Sequence, residues 1–384
     1  MSKKTIDTAM ILAAGYGLRL MPLTQVRPKA LLPVLNKPVL FRWLDALVEL
    51  GVRNAVINTH HLAEQMDEAV VLARRTHPSL NIAVSFEPEI LGTGGALKKA
   101  APLLFPNKSS VGSMASVIGS YQRLLGSASA SASPGSGTEA PKYPITKTWT
   151  EPPARPKSPV QAKTVVLEPG EADETEDFGP VLVVNADIYA DLELERLCEA
   201  HFSRQGATAA TLALVETNRA ATVSLDGEGR IVAFRSPDPA PGEVRRLTGA
   251  GIMIIEGWAI NAFPDGYSDS VEQLSAWLGG DAAPTGLFYD QAEWTDIGVD
   301  VPEYFKLNKT LAGGGIFAEN MELIRGKVKG FLIAEDGAKV AESAEVDNCI
   351  LLRGAEVGER VRLRNCVVAA PVPDDSVISK GVVI

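Results

Sequence analysis

Arg19 and Lys29 stand ten residues apart, behind a glycine pair, Gly15 and Gly17, that follows the apolar run Met10 to Ala13. Glycines directly after a buried strand let the backbone approach a ligand closely and aim N–H groups at it. Arginine offers phosphate oxygens a planar fork, and lysine offers a compact point charge. Pro22, Pro28 and Pro33 stiffen the segment that carries both cations. Strand, bare-backbone turn and two fixed cations together suit polyphosphate chemistry. Two other phosphate-binding patterns are excluded. Leu20 occupies the place of the third glycine of a dinucleotide fingerprint, and no Gly-Lys-Ser/Thr follows for a Walker loop.

The elements around this segment must hold it in place. Leu40, Trp43, Leu44, Leu47 and Val48 recur with a helical period over Val39 to Leu50, and Gly51 stops the helix. Asn54 to Asn58 and Ile82 to Phe86 read as strands, and Leu62 to Arg75 and Thr93 to Leu104 as helices. Such alternation predicts an α/β fold whose mostly parallel sheet has helices on both faces. VLVVNAD, ending at Asp187, is an interior parallel strand, and a helix is expected from Leu192 to Gln205. Thr222 to Leu225 and Ile231 to Phe234 flank an Asp-Gly-Glu-Gly turn and form a hairpin. Leu247 to Glu256 is a further strand. Trp258 to Phe263, Val271 to Leu278 and Val301 to Leu311 are helices.

Between these elements, residues 107–179 hold SASASASPGSG, PPARPKSP and EPGEADETED. Their apolar content is too low to offset ordering entropy, so a largely disordered insertion is expected. Gly313, Gly314 and Gly315 mark a boundary between residues 1–312 and a tail, 313–384. In the tail Val340, Val346 and Leu352 are six apart, as are Val357 and Leu363, a period that suggests a parallel β-helix. Its open apolar rungs predict packing on its own chain or on another copy, a homo-oligomer through the tail, without a part in chemistry.

Bulk properties narrow the classes. A chain of 384 residues with 46% hydrophobic content supports one large domain and a smaller one. A net charge of -10 speaks against a nucleic-acid surface. Three cysteines without a CxxC and four histidines without metal-site spacing predict reduced thiols, a cytoplasmic setting and no histidine-based metal centre. No segment approaches a membrane span, and the N-terminal apolar run is too short for a signal peptide.

The full string LAAGYGLRLMPLTQVRPKALLPV resembles the signature of the sugar-1-phosphate nucleotidylyltransferases at every fixed position except Ala30, where that signature is loose. The resemblance spans about residues 8–106 and 180–312. It implies a Rossmann-like, mostly parallel mixed sheet of the nucleotide-diphospho-sugar transferase type, with a short left-handed β-helix as the tail. It implies transfer of a nucleotidyl group from an NTP to a sugar 1-phosphate, with Mg²⁺ as cofactor. Leu12, Ala13, Ala14, Gly15, Gly17, Gly92 and Thr93 would then contact the nucleotide, Gly92 and Thr93 belonging to the LGTGGA run that resembles the family's nucleobase loop. Arg19 and Lys29 would stabilise the reacting phosphates. Asp187 and Asp296, the latter in EWTDIG, match the family's metal aspartates; WTDIGVDVPE carries an insertion where the family has GTPE. Gly251 lies in a strand resembling the sugar-lining TGxG. Arg235 stands near where many members carry a lysine for the sugar phosphate. GTP with mannose 1-phosphate or a heptose 1-phosphate is favoured, for cell-envelope polysaccharide. Uridylyl transfer to an amino-sugar 1-phosphate and a non-catalytic regulatory homologue are the alternatives. A metal-dependent glycosyltransferase would share the sheet and the aspartate but has no use for Gly15, Gly17, Arg19 and Lys29.

Overall fold

The computed structural model describes residues 5–106, 146–148, 178–204, 207–219 and 221–384. Nearly all of the expected insertion lies outside the described residues; within it, Thr146–Thr148 is a strand. The chain packs as two compact units. Among the described residues, the first comprises residues 5–15, 40–106, 178–204, 207–219 and 221–295, and the second residues 16–39, 146–148 and 296–384.

A nine-stranded mixed sheet is the framework of the first unit. Asn81–Phe86, Asn54–Thr59, Thr8–Leu12 and Val181–Asn185 run side by side in parallel. Arg245–Ile255 then runs against Val181–Asn185 and pairs on its other side with Ala210–Val215, which is parallel to Thr285–Tyr289. The N-terminal part of the long strand also carries the hairpin of Val223–Leu225 and Ile231–Phe234. The parallel strands are apolar almost throughout because helices cover both faces. Met10, Val56, Val181 and Leu97 share one continuous core. Each large side chain so buried contributes about 1.5–3 kcal/mol. Helix Val39–Leu50 forms where the apolar period predicts it, with Leu40, Leu44 and Leu47 fully buried. Leu12 is in register with both Asn58 and Asn185, so these three residues lie level on neighbouring strands.

The sequence expectation was silent on Ala210–Val215. It is a central strand, buried at all six positions. Ile188–Asp191 and Glu293–Asp296 form a further two-stranded ladder.

The second unit joins the segment Tyr16–Val39, helix Val301–Ala312 and the tail. Helix Val301–Ala312 starts on Asp300, whose side chain accepts the N–H of Glu303, and ends at Gly313 in the left-handed region. In the tail, Ile316–Ala318, Lys327–Ala334, Glu345–Leu351, Arg362–Val368 and Val377–Val383 lie in parallel register. Strand Thr146–Thr148 closes the edge antiparallel to the last of them. A second parallel pair, Lys339–Val340 with Glu356–Val357, makes another face. Val340, Val346, Leu352, Val357 and Leu363, picked out by their six-residue period, are all buried. The backbone turns at Gly330, Asn348, Asn365 and Lys380, all at positive φ and stacked from rung to rung. The Oδ1 of Asn348 accepts the N–H of Phe331, tying one corner to the next.

Candidate active site

In the first unit, a cavity of about 210 Å³ opens where the parallel strands end. Its wall includes Leu12, Asn185, Thr93, Gly251, Arg235 and Asp269. The carboxyl ends of parallel strands are where open α/β sheets bind ligands. Four positions named from four separate sequence motifs, Leu12, Thr93, Arg235 and Gly251, therefore meet in one place. Asp187 follows strand Val181–Asn185 and is buried to 8% exposure.

The turn after Thr8–Leu12 is held from below. Asn58 Oδ1 accepts the N–H of Ala13 at 2.6 Å, and Asn58 Nδ2 donates to Glu87 Oε1 at 2.7 Å. The other oxygen of Glu87 accepts the N–H of Leu91 at 3.0 Å. His60 lies against the carbonyl of Glu87 at 2.7 Å. Glu87 is 1% exposed, and its charge is met by these bonds rather than by water. The chain thus links its first glycine turn to the LGTGGA run through two buried side chains, Asn58, which carries no motif signal, and Glu87, which opens the run that resembles the nucleobase loop. Ala13 and Ala14 are themselves buried. Ala13 is expected to contact a nucleotide; its N–H is committed to Asn58.

The glycines of LGTGGA have a packing role as well. A Cβ on Gly92, Gly94 or Gly95 would fall 2.5, 2.6 or 2.0 Å from atoms of Ser268 or Gly266. The N–H of Gly94 donates to the carbonyl of Ser268 at 2.9 Å. The run lets helix Gly92–Leu104 press against residues 266–269. The hydroxyl of Thr93 accepts the N–H of Ser270 at 2.8 Å and contacts its hydroxyl at 2.9 Å. Asp269 caps the helix that begins at Ser270, accepting from Val271 and Glu272. Its second oxygen lies 3.2 Å from Nη2 of Arg235. Arg235 has positive φ and a 60% exposed side chain on the cavity wall. Asp269 and Ser270 carry no motif signal; only the folded chain brings them to Thr93 and Arg235.

Gly251 is required by geometry. Its φ is +74°, and a Cβ would sit 2.9 Å from Ile188 Cγ1 and 3.0 Å from Asn185 Nδ2. The adjacent carbonyl of Ala250 accepts the indole N–H of Trp294 at 2.9 Å, and Arg219 covers that indole at 5.4 Å.

The cationic segment belongs to the second unit. Arg19 lies in the short turn Leu18–Leu20, and Lys29 opens the turn Lys29–Leu31. Between them, helix Leu23–Val26 supplies Thr24, whose hydroxyl donates to the carbonyl of Gly17 at 2.9 Å. Gly17 has φ +63°, and a Cβ there would lie 2.6 Å from Thr24 and 3.5 Å from the Cβ of Lys29. The segment folds back on itself, so Lys29 starts beside Gly17. Leu20, Leu23, Ala30 and Leu32 are fully buried and anchor it. Two left-handed residues, Leu35 and Asn36, turn the hairpin beyond it. Asn308 Oδ1 accepts the N–H of Leu35 at 3.0 Å, and the Tyr304 hydroxyl donates to the Pro33 carbonyl at 2.8 Å. Complete burial holds the Tyr304 phenol well above its ordinary pKa, so it stays a donor. Asp296, at the end of Glu293–Asp296, accepts the N–H of Gly298 at 2.9 Å.

Among the described residues, no group of three or more His, Cys, Asp or Glu could hold a metal ion. No described helix is long and apolar enough to cross a membrane.

Comparison with known proteins agrees with the resemblance carried by residues 9–38. The nucleotidyl transferase family model matches residues 8–141. Over this stretch the chain is similar to sugar-1-phosphate nucleotidylyltransferases. Mannose-1-phosphate guanylyltransferase catalytic subunit beta of Danio rerio is 40% identical over 100 residues, 26% of this chain and 28% of that protein. N-acetylmuramate alpha-1-phosphate uridylyltransferase of Caulobacter vibrioides is 40% identical over 97 residues, 25% of this chain and 40% of that protein. The chain spans about a quarter of the length of the guanylyltransferase subunits it matches. The crystal structure of HddC from Yersinia pseudotuberculosis superposes with a TM-score of 0.50 at 16% identity, over 80% of this chain and 100% of that one. That likeness is one of fold, a mixed α/β architecture around a largely parallel sheet.

Proposed function

We propose that this protein transfers a nucleotidyl group from an NTP to a sugar 1-phosphate, releasing pyrophosphate. The observation that carries the reading is the meeting of Leu12, Thr93, Arg235 and Gly251 on one cavity wall. A phosphate oxygen of the sugar 1-phosphate attacks the α-phosphorus of the NTP, a new P–O bond forms, and the bond to pyrophosphate breaks. The attacking oxygen is already ionised, so no general base is needed. Catalysis is then a matter of positioning and charge. Gly15 and Gly17 bring backbone close to the nucleotide. Arg19 stabilises charge on the departing pyrophosphate, and Lys29 neutralises the reacting phosphates. Gly251 and Arg235 serve the sugar phosphate, Asp269 orienting Arg235.

The donor set suits Mg²⁺: Asp187 and Asp296 offer hard carboxylate oxygens, and this ion takes one or two such groups together with substrate phosphates. When bound, it would supply charge neutralisation at the phosphate oxygens. We also read residues 1–312 as the catalytic part and the tail as a left-handed β-helix; its parallel rungs and stacked positive-φ corners support this. Association of copies through the tail belongs to the same reading, tested by light scattering.

Guanylyl transfer to mannose 1-phosphate is the favoured reaction, supported by the guanylyltransferase relatives. Uridylyl transfer to an amino-sugar 1-phosphate is the second reading, supported by the Caulobacter relative. Four NTPs, each paired with mannose, heptose, glucose and N-acetylated amino-sugar 1-phosphates, decide between them by pyrophosphate release. Nucleotide binding without release on any pair would point to the regulatory homologue instead.

A further inference from the structure

We propose that Glu335, a residue of the tail, is a positioning residue for Arg19 and Lys29, acting through Arg27. The proposal rests on the nucleotidyl-transfer reading for what the two cations do, but not for how they are held.

Arg27 follows helix Leu23–Val26 and precedes Pro28, two residues before Lys29. Its guanidinium Nη1 donates to Oε2 of Glu335. The Glu335 side chain is 6% exposed and that of Arg27 17%. The same Oε2 accepts the N–H of Arg353 at 2.7 Å, so the carboxylate is fixed from the tail side as well. Glu335 directly follows strand Lys327–Ala334, and its own N–H donates to the carbonyl of Leu351 on the next rung at 2.9 Å. The acceptor is built into a stack of strands and cannot drift with its partner.

Two routes carry this restraint to the cations. Proline fixes φ, so the Arg27-Pro28-Lys29 backbone has little freedom to absorb a movement of Arg27. In the other direction, the N–H of Arg27 donates to the carbonyl of Leu23, and Thr24 of the same short helix holds Gly17, two residues before Arg19. Tyr304 and Asn308 brace the hairpin beyond Lys29, at Pro33 and Leu35. Glu335 braces the part that lies between the two cations. Removing its charge leaves the guanidinium largely buried without its counter-ion, which drives it to seek water and pulls the segment with it.

The test uses the full chain. Glu335→Gln retains the shape and can still accept from Arg353, but loses the charge. Amide hydrogen exchange over residues 17–32, measured without substrates, should accelerate at least several-fold. The kcat for pyrophosphate release should fall about 10-fold or more, as displaced catalytic groups require, with a much smaller change in KM for the sugar 1-phosphate. The double variant Arg27→Met with Glu335→Met, an apolar pair of similar size, should recover exchange protection and most of kcat. Unchanged exchange over 17–32 in folded Glu335→Gln overturns the proposal, whatever the turnover. A lowered melting temperature with normal kcat and normal exchange in this segment also overturns it, since the pair would then be a stability device alone. If wild-type protein releases no pyrophosphate with any substrate pair while Glu335→Gln still accelerates exchange, the transfer reaction fails and the brace stands. Should Glu335→Gln not fold, Glu335→Asp, which keeps the charge but withdraws it by one methylene, is read by the same exchange and kcat criteria.

Discussion

Asn58 receives the backbone N–H of Ala13 at 2.6 Å, in the interior and 45 residues away along the chain. Strand register makes this possible: Asn58 is level with Leu12, so its amide lies just beneath the first residue of the glycine turn. The same amide donates to Glu87. Asn58→Leu fills the space but orphans both groups. We expect a loss of about 2–4 kcal/mol, since a buried unsatisfied donor costs about 1–3 kcal/mol and a carboxylate more. Urea denaturation of the full chain measures it, and a change below about 0.5 kcal/mol, on the order of an ordinary surface substitution, would show that water takes over the role.

Arg19→Ala should reduce kcat on the order of 100-fold or more while NTP affinity changes far less, because charge on pyrophosphate develops only as it departs. Pyrophosphate release paired with equilibrium nucleotide binding separates the two. Near-normal kcat would remove Arg19 from the chemistry.

Asp187→Asn and Asp296→Asn should each abolish Mg²⁺-dependent turnover with the fold intact, because each exchanges a hard anion for a neutral amide. Circular dichroism checks the fold, and titration with Mg²⁺ checks whether activity returns. Full activity of Asp296→Asn at ordinary Mg²⁺ would leave Asp187 without its proposed partner.

Gly251→Ala should be damaging out of proportion to its size. The backbone is left-handed there, and the new methyl would meet Ile188 and Asn185 on the cavity wall. Strain of this kind costs about 1–3 kcal/mol. Thermal unfolding should register that loss, and the KM for the sugar 1-phosphate should rise. Gly249→Ala is the control: a Cβ there meets only Val223 at 3.8 Å. Equal effects from the two substitutions would refute the steric argument.

Much of this architecture could be read from local pattern. Helix Val39–Leu50 announces itself by the spacing of Leu40, Leu44 and Leu47, and it occupies the expected residues. Asp187, Gly251 and Thr93 were legible as motif members. Strand Ala210–Val215 was not. All six of its residues are buried, so there is no alternation to mark it, and its alanines, Ala210 and Ala213, do not announce a strand. The Asn58–Glu87 link was equally hidden, because two polar residues 29 apart meet only through the register of adjacent parallel strands. Nor could composition place the cationic segment and the tail in one compact unit. The tail was expected to stand outside the chemistry, and a single arginine in the middle of a motif gave no sign that its partner lies 308 residues away.

Stacked corners at Gly330, Asn348, Asn365 and Lys380 give the tail a growth direction. Glu335 follows the Lys327–Ala334 rung, and the Glu345, Arg362 and Val377 strands are laid down successively beyond it. Each rung meets only its neighbours, and Thr146–Thr148 closes the far edge, so a change at that end stays several strands away from the arginine that Glu335 holds. The Lys327–Ala334 and Glu345–Leu351 strands, by contrast, are tied through Glu335 and the N–H of Arg353 to the loop they grip.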